Sequence, residues 1–428
     1  MAKFQPYDSY KACDVPWLGD VPSGWGATRL KFECRVNMGQ SPSSDDCNAE
    51  GFGLPFLQGN AEFTRTTPNA KQYCDVAKKV AEKGDLLLSV RAPVGALNRA
   101  DQAYGIGRGL CAITPSRNVV KEFLWWLVPV VRTELESIST GSTFESVAAE
   151  QVENVRFYAP SLMEQRQIAA FLDHETANID RLIAKQERLI ALLKEKRQAV
   201  ISHAVTKGLN PDAPMKDSGV EWLGEVPAHW AIHKTKRLFH LVAEPAPANN
   251  DYELLSIYTD IGVRPRKELE QKGNKASTTD GYWIVKRGDI IVNKLLAWMG
   301  ATGYSDYEGV TSPAYDILRK AKKLNPRFYH FLWRTKMAQT EFKRWSRGIM
   351  EMRLRLYFDE LGRIDMPYPP EPEQDAIVTE LERIESKFEK IIEKSQSSIS
   401  LLQEHRTALI SAAVTGKIDV RNFKPANA

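Results

Sequence analysis

The chain has 428 residues and a mass of 48.3 kDa, too long for one ordinary core, with a near-neutral net charge of +4 and 43% hydrophobic residues. Its longest apolar run, residues 124–131, is far shorter than the roughly 20 residues of a membrane helix, and the N-terminal sequence lacks an apolar signal core, so we expect a cytoplasmic protein without membrane association. An odd number of cysteines without zinc-site spacing argues against a disulfide framework and indicates free thiols at Cys13, Cys34, Cys47, Cys74 and Cys111.

The chain contains an internal repeat. VPWLGDVPSGW at 15–25 returns as VEWLGEVPAHW at 220–230, and EKRQAVISHAVT at 195–206 returns as EHRTALISAAVT at 404–415. Between these anchors, EKGDLLLSV at 82–90 matches VKRGDIIVN at 285–293. Three matches in the same order and at nearly the same shift indicate a duplication, which predicts two similar units.

Each unit begins with a mixed α/β domain, over residues 1–163 and 220–372. Short apolar runs at 85–90 and 289–292 lie among Gly, Asn, Asp and Pro residues, a pattern typical of strands between turns. Helical patterns follow at 122–137 and 326–344. The fold class that we predict is therefore α+β.

Each domain is followed by a long helix, over residues 164–208 and 373–417. A linker (209–219) joins the first helix to the second domain, and a tail (418–428) follows the second helix. Residues 164–207 and 373–415 contain no Gly, and both stretches repeat apolar residues at the three-four spacing of a coiled-coil seam. Separate amphipathic helices, each packed on its own domain, are the alternative. The predicted pairing residues are Leu172, Ile179, Leu182, Leu189, Leu193, Val200, Leu381, Phe388, Ile391, Leu402 and Leu409. Gln186 and Ser395 are polar at one equivalent seam position and predict a layer that fixes the register.

The positive charge is concentrated in the second domain. Residues 231–360 hold 23 Lys and Arg against 15 Asp and Glu, whereas residues 26–160 hold 15 of each. Basic residues interleaved with aromatic residues, as in 331–348, favour a surface that binds phosphates. A solvated helix face with aromatic side chains in the core is the alternative interpretation.

No catalytic motif is apparent in the sequence. GIGRG at 105–109 is a weak match to a cofactor loop, and MPYPPEPE at 366–373 has the wrong order for the tetrapeptide of an adenine methyltransferase. A phosphate-binding lysine loop and histidines at metal-ligand spacing are both missing. A nuclease site built from Asp, Glu and Lys is an alternative, although no such set repeats between the units.

The combined motifs resemble the specificity subunits of type I restriction-modification systems, over essentially the whole chain. The resemblance rests on the repeated WLGxVPxxW, the Gly-Asp strand, the proline-rich approach to Glu-Gln at 158–168 and 368–377, and the helix that ends in ISxAVT. MGQSPSS at 38–44 and residues 293–319 are similar to patterns in the target-recognition domains of that family.

The resemblance implies two target-recognition domains that each read half of a split DNA site, joined by two long antiparallel helices. It implies docking of two methylation subunits and of restriction subunits. It also implies a noncatalytic chain without its own cofactor or metal, with S-adenosylmethionine, ATP and Mg bound by the partner subunits. A duplicated scaffold that binds only protein partners is the alternative. Steep loss of duplex binding with rising salt would distinguish the DNA reader.

Base edges and phosphates favour particular side chains, since Arg and Lys pair with guanine, Asn and Gln with adenine, and Ser, Thr and backbone amides with phosphates. The DNA-binding candidates in the first domain are Gln58, Asn60, Arg91, Arg108, Thr140, Gly141, Ser142 and Thr143. Those in the second are Arg264, Arg266, Asn293, Lys294, Trp298, Ser312, Tyr315, Arg344, Arg347, Arg353 and Arg355. Gly141 and Gly348 occupy comparable places, where glycine would permit close backbone approach.

Overall fold

The computed structural model describes residues 4–15, 18–138, 146–259, 261–268 and 279–424. The chain divides into two compact units. Unit 1 contains residues 1–186 and 397–428, and unit 2 contains residues 187–396. Each unit therefore holds one α/β domain together with part of both long helices, and the predicted α+β class is confirmed.

The elements of unit 1 form the first domain and lead into the first long helix. Its strands are β1 (Tyr10–Lys11), β2 (Val21–Pro22), β3 (Gly26–Arg29), β4 (Cys34–Met38), β5 (Cys47–Asn48), β6 (Leu54–Leu57), β7 (Gln72–Cys74), β8 (Val80–Ala81), β9 (Leu86–Ser89), β10 (Leu97–Arg99), β11 (Tyr104–Ile106), β12 (Leu110–Pro115) and β13 (Arg156–Ala159). Its helices are α1 (Leu30–Glu33), α2 (Lys121–Ile138), α3 (Ala149–Glu153) and the first part of α4 (Leu162–Lys207), with 3₁₀ turns at Ser44–Asp46 and Asn60–Glu62.

Unit 2 contains the second domain and the start of the second long helix. Its strands are β14 (Met215–Asp217), β15 (Glu225–Pro227), β16 (Ala231–Lys234), β17 (Phe239–Val242), β18 (Leu255–Tyr258), β19 (Gly262–Pro265), β20 (Trp283–Val285), β21 (Ile290–Asn293), β22 (Thr302–Tyr304), β23 (Gly309–Thr311), β24 (Tyr315–Lys320) and β25 (Asp365–Tyr368). Its helices are α5 (Thr235–Leu238), α6 (Pro326–Trp333), α7 (Lys336–Trp345), α8 (Phe358–Leu361) and the first part of α9 (Glu371–Val414), with 3₁₀ turns at Arg266–Glu268, Ala297–Met299 and Glu351–Arg353.

Both units contain a four-stranded antiparallel sheet with the same strand order. The order is β10-β9-β12-β4 in unit 1 and β22-β21-β24-β17 in unit 2. The central strands β9 and β21 are the two copies of the repeated Gly-Asp segment. The predicted duplication is therefore present in the topology as well as in the sequence.

The repeated Gly-Asp pair forms the same turn in both units. Gly84 and Gly288 have φ values of +97° and +98°, which favour glycine because a Cβ is strained there. The carboxylates of Asp85 and Asp289 are buried, and each accepts a 2.9 Å hydrogen bond from the backbone N–H three residues earlier. This turn starts the central strand of each sheet and explains why the segment recurs.

The two long helices are confirmed. Helix α4 begins two residues before the predicted start, as does α9, and the two end at Lys207 and Val414. Gly208 and Gly416 follow with positive φ values of +78° and +71°, the conformation that ends helices at a C-terminal glycine. Among the described residues, no helix is long and apolar enough to cross a membrane.

The long helices pair in antiparallel fashion inside each unit. In unit 1, Leu172 near the start of α4 shares a core with Leu409 near the end of α9, and Arg406 Nε lies 3.2 Å from Asp180 Oδ1. In unit 2, Val205 near the end of α4 shares a core with Leu381 near the start of α9. A start-to-end pairing in both units requires opposite helix directions.

Three of the predicted pairing residues are exposed. Leu182, Leu189 and Ile391 are 48%, 40% and 43% exposed, whereas the adjacent isoleucines 183, 190 and 392 are only partly exposed. Of the other predicted pairing residues, Leu172, Ile179, Leu381 and Leu409 are buried and Leu193, Val200, Phe388 and Leu402 are partly buried. Ser395 is buried and Gln186 is partly exposed.

The predicted helix at 326–344 is two helices. Helix α6 ends at Trp333, and α7 starts after Thr335, whose side chain accepts a hydrogen bond from the Ala338 N–H. A threonine before a helix accepts from a backbone N–H of the first turn that would otherwise be unpaired, and so it favours a new helix start. The apolar pattern of the sequence continues across this threonine and does not show the break.

Each repeated tryptophan anchor packs against the end of a long helix. In unit 1, a Cβ on Gly416 would lie 3.2 Å from the Trp25 ring, at the end of α9. In unit 2, a Cβ on Gly208 would lie 3.5 Å from the Trp230 ring, at the end of α4. The anchor of the first domain therefore meets the helix that ends near the C-terminus of the chain. Its indole N–H also donates to Glu164 Oε1 at 3.0 Å, at the start of the helix that follows its own domain.

Candidate nucleic-acid interface

Three loops of the first domain meet at one edge, where strands β4, β6 and β11 end. Backbone hydrogen bonds join the loops: Gly39 N–H donates to Leu110, Gln40 N–H to Ile106 and Gly107 N–H to Leu57, at 2.8–2.9 Å. The loops 39–43, 58–60 and 107–109 thus form one connected surface, which we call the three-loop edge. It contains part of the MGQSPSS segment and part of GIGRG.

Ser41 links two of the predicted DNA-binding residues at the three-loop edge. The Gln58 amide donates to Ser41 Oγ at 2.8 Å, and the Arg108 backbone N–H donates to the same oxygen at 3.2 Å. The side chains of Gln58 and Arg108 are exposed, and Asn60 lies two residues further on in a 3₁₀ turn. The structure therefore brings together residues that are up to 67 positions apart in the chain.

Glycines make this close approach of the loops possible. A Cβ on Gly39 would lie 2.1 Å from the Gly107 carbonyl oxygen, and a Cβ on Gly109 would lie 2.7 Å from the Gln58 carbonyl oxygen. Real Cβ atoms do not approach other atoms so closely, so the GIGRG segment is needed for packing at this edge. The glycine spacing is the one signal of this segment in the sequence, where it is only a weak match to a cofactor loop.

Arg91 lies at the end of β9, beside the three-loop edge. Val90 N–H donates to the Gly109 carbonyl at 2.9 Å, and Arg91 forms an isolated β-bridge with Ser146. The predicted residues Thr140, Gly141, Ser142 and Thr143 lie outside the described residues. Three of the four described candidates of this domain, Gln58, Arg91 and Arg108, are exposed.

Several candidates of the second domain lie around the ends of β21 and β24, which we call the second surface, whereas Arg264 lines a polar cleft of unit 2. Lys294 Nζ donates to the Pro313 carbonyl at 2.9 Å and lies 3.4 Å from Asp316 Oδ1. Asn293 pairs with Tyr315 across the two strands, and burial raises the pKa of the Tyr315 hydroxyl, which stays a donor. Arg264 lies on β19 and donates to the Tyr307 hydroxyl at 3.3 Å, and Arg266 begins the 3₁₀ turn that follows.

Some of these candidates have structural contacts. Asn293 is buried, and its Oδ1 accepts from the Leu295 N–H at 3.0 Å. The Ser312 hydroxyl accepts from the Ala314 N–H at 3.3 Å, and the Trp298 indole donates to the Leu295 carbonyl at 3.0 Å. These contacts give the three side chains a role in shaping the loop that follows β21 and the loop that precedes β24.

The remaining arginines lie on the end of α7 and the loop that follows it. Arg344 pairs with Glu221 at 2.7 Å, and Arg347 pairs with the buried Glu360. Arg347 and Arg355 face each other in a two-residue β-bridge, and Arg353 is exposed between them. Gly348 has a φ of +145°, and a Cβ there would lie 2.5 Å from the Arg353 carbonyl oxygen, so this position requires glycine.

A polar cleft in unit 2 was not expected from the sequence. It has a volume of about 850 Å³ and is lined by α4, α9 and the second domain, including Arg197, Arg334 and Glu385. Burial, together with Arg334, Arg327 and Arg264, lowers the pKa of His330 to about 3, and its Nδ1 accepts from the Tyr304 N–H. Burial raises the pKa of Glu385.

The chemistry of the two surfaces suits DNA contacts. They present amide, guanidinium and ammonium groups on loops held by backbone hydrogen bonds, which is the donor set that reads base edges and phosphates. Over the described ranges, no group of three or more His, Cys, Asp or Glu side chains is arranged to hold a metal ion.

Comparison with known proteins gives a consistent picture. Residues 22–191 match the family described as Type I restriction modification DNA specificity domain. The putative type I restriction enzyme MjaX specificity subunit from Methanocaldococcus jannaschii is 36% identical over 166 residues, which are 38% of this chain and 38% of that protein. That match spans well under half the length of either protein. The type I restriction enzyme MjaVIII specificity subunit of the same organism is 22% identical over 94% of this chain and 95% of that protein.

A solved structure has the same fold over nearly the whole chain. It comes from work on complex assembly and conformational transition of the type I R-M system, and its TM-score is 0.67. The superposition covers 92% of this chain and 98% of that chain at 16% identity. At this identity the likeness concerns the fold, including the long helices.

Proposed function

We propose that this chain, which is a specificity subunit of the type I restriction-modification family, reads a bipartite DNA target with one domain in each unit. The observation that carries the proposal is the pair of equivalent four-stranded sheets whose loops differ. A shared sheet order that presents exposed Gln58 and Arg108 in one unit, and exposed Arg347 and Arg353 in the other, suits two readers of different sequences.

In this proposal, the three-loop edge reads the first half-site. A glutamine amide pairs with adenine by accepting from N6 and donating to N7, and an arginine pairs with guanine or with a phosphate. The Gln58 amide is held on one side by Ser41 and leaves its Oε1 and a second N–H for a base. A group held in place loses little side-chain entropy on binding, which favours Gln58 as a base reader.

The second domain contributes most of the attraction to phosphates. Its surplus of eight positive charges over residues 231–360 contrasts with the balance in the first domain. Each neutralised phosphate releases counterions, so we expect affinity for duplex DNA to fall steeply as salt rises. A scaffold that binds only proteins would show no duplex binding at low salt.

Catalysis would belong to partner subunits. We propose two methylation subunits and restriction subunits as partners, with S-adenosylmethionine, ATP and Mg bound by them and the chain itself noncatalytic. Apolar side chains exposed on the long helices, among them Leu182, Leu189 and Ile391, offer contacts for the methylation subunits. Methyl transfer by the homogeneous chain alone would contradict this assignment.

The decisive experiment maps methylated sites in DNA from cells that carry the chain and its partners. We expect a split target whose first half-site relaxes at one adenine position in the Gln58→Ala variant, with the second half-site unchanged. Discrimination at that position should fall by about 1–3 kcal/mol.

The matched control is Gln102→Ala. Gln102 is also an exposed glutamine of the first domain, but it precedes β11, at the opposite end of that strand from the three-loop edge. It should leave both half-sites unchanged. A Gln58→Ala variant with an unaltered target, or one that alters the second half-site, would contradict the assignment of the first half-site to this edge.

A further inference from the structure

Among the described residues of the second domain, Ile349 is the large apolar residue with the most exposed side chain, and its position suggests a role. Its exposure is 101% of the reference value, and the next residue, Met350, is 48% exposed. Aliphatic side chains that project fully into water at the tip of a loop gain nothing for folding. A binding role is therefore the better explanation when backbone hydrogen bonds hold the loop in one conformation, as they do here.

The loop that carries Ile349 is closed by its own backbone. Arg347 and Arg355 exchange two N–H to carbonyl hydrogen bonds of 2.9 Å, so residues 348–354 form a loop between them. Inside it, the Arg353 N–H donates to Met350 at 2.8 Å. These backbone bonds hold Ile349 at the tip, and the Glu351 carboxylate within the loop also pairs with Lys343.

The base of this loop is fixed to the rest of the second surface. Leu356 is fully buried, and its N–H donates to the Lys294 carbonyl at 2.9 Å. The conformation of the loop also depends on Gly348, where a side chain would collide with Arg353. The tip is therefore presented by a rigid support, as an insertion element requires.

The segment that carries the tip is rich in basic residues, three of which also pair with carboxylates: Lys343 with Glu351, Arg344 with Glu221 and Arg347 with Glu360. Residues 343–355 contain five basic residues and one acidic residue: Lys343, Arg344, Arg347, Arg353 and Arg355 against Glu351. An apolar tip beside basic side chains is complementary to a ligand that has negative charges outside and apolar groups inside. An ordinary protein surface lacks this combination. Duplex DNA has phosphates outside and stacked bases inside, and Ile and Met are among the residues that DNA-bending proteins insert between base steps.

We propose that Ile349, supported by Met350, is a wedge that enters a base step of the DNA at the second half-site while the neighbouring arginines hold the phosphates. The inference rests on the proposed DNA-reading function and goes beyond it. The wedge would partly unstack one step and kink the duplex, so the second half-site would be read in a deformed state.

The test uses the full chain with its methylation subunits and a duplex containing the mapped target. 2-Aminopurine, whose fluorescence rises when it is unstacked, is placed at successive positions through and beside the second half-site. We expect a rise at one step with the unaltered chain and its loss with Ile349→Ala. Affinity should fall roughly tenfold, because a buried isoleucine side chain loses most of its apolar contact. Ile349→Met should retain the rise, since methionine is also a wedge residue.

Leu241→Ala provides the control, because Leu241 is another exposed aliphatic residue of the same unit, on the edge strand β17. It should retain both the fluorescence rise and the affinity. An equal fluorescence rise with Ile349→Ala would overturn the wedge. Weaker association of that variant with the methylation subunits in the absence of DNA would also overturn it, because the tip would then be a protein contact. Failure of the unaltered assembly to bind duplex DNA would overturn the proposed function and the wedge together, whereas normal binding without any rise would overturn the wedge alone.

Discussion

Gln165 and Gln374 occupy the same place in the two units and make the same pair of hydrogen bonds. Gln165 accepts from the Val120 N–H at 2.8 Å and donates to the Pro160 carbonyl at 3.0 Å. Gln374 accepts from the Asn325 N–H at 2.9 Å and donates to the Pro369 carbonyl at 2.8 Å. Each side chain thus ties the start of a domain helix to the start of a long helix, which gives the repeated Glu-Gln motif a structural role.

Replacing either glutamine with alanine should destabilise the unit that contains it. Both side chains are at most 1% exposed, so each variant leaves a buried N–H and a buried carbonyl without a partner. We expect a loss of about 2–4 kcal/mol in the free energy of unfolding and a lower Tm, measured by thermal unfolding. Limited proteolysis should locate the weakened region in unit 1 for Gln165→Ala and in unit 2 for Gln374→Ala.

The control for both variants is Gln403→Ala. Gln403 is exposed on α9, and such substitutions usually change stability by less than about 0.5 kcal/mol. If the variants at 165 and 374 behaved like this control, the two glutamines would not hold the helix starts together.

At the level of elements, the long helices could be predicted because periodicity and the positions of Gly and Pro are local properties of the sequence. Their facing residues could not be fully predicted. At 182–183, 189–190 and 391–392 two aliphatic residues are adjacent, so either member fits an apolar stripe, and packing in the folded chain selects the second. Sequence periodicity cannot distinguish such neighbours.

The candidate site was less predictable than the helices. Gln58 and Arg108 were chosen for their chemistry, but their common partner Ser41 comes from a third loop, and the contact depends on glycines that permit close backbone approach. Nothing in the local sequence at 39–43 indicates which loop it meets. The unit 2 cleft was missed for the same reason, since its lining comes from segments far apart in the chain.

The helices also allow a prediction about the spacing of the half-sites. Both α4 and α9 run from one unit into the other. One heptad inserted into both helices, after Gln186 and after Gln396, keeps the seam in phase and adds about 10 Å. We expect the gap between half-sites to grow by about three base pairs with both half-site sequences unchanged, as measured by methylation mapping.

Insertion into α4 alone serves as the control for the spacing experiment. It would shift one helix of the pair relative to the other, so we expect loss of stability without a defined longer gap. A double insertion that leaves the gap unchanged would mean that the helices do not set the spacing.

At the scale of the whole molecule, each unit is completed by a helix end from the other half of the sequence. Unit 1 receives Leu409, Ala413 and Gly416 from the last helix, and Gly416 lies against Trp25. Unit 2 receives Val205 and Gly208 from the first long helix, and Gly208 lies against Trp230. The two repeats are therefore interlocked, and neither repeat of the sequence is a complete unit by itself.

This interlocking predicts that a fragment of residues 1–209 dimerises. The fragment lacks the segment 397–428 that completes unit 1, but it retains EKRQAVISHAVT, the repeat of EHRTALISAAVT. The helix end of a second copy can therefore take the place of the missing one, with Val205 in the position of Val414. Burial of the two exposed cores should give a stable dimer, measured by light scattering, whereas a monomer would contradict the interlocked arrangement.

The symmetry of that dimer extends the prediction to the DNA target. Two identical first domains related by a true twofold axis should read two inverted copies of the first half-site, so with methylation subunits the fragment should modify a palindrome and no longer recognise the second half-site. Val205→Asp should prevent dimerisation by placing a charge in the core, while Leu192→Asp, at a residue 44% exposed in the full chain, should not. Because methylation mapping reads the target directly, retention of both original half-sites by the fragment would refute the assignment of one half-site to each domain.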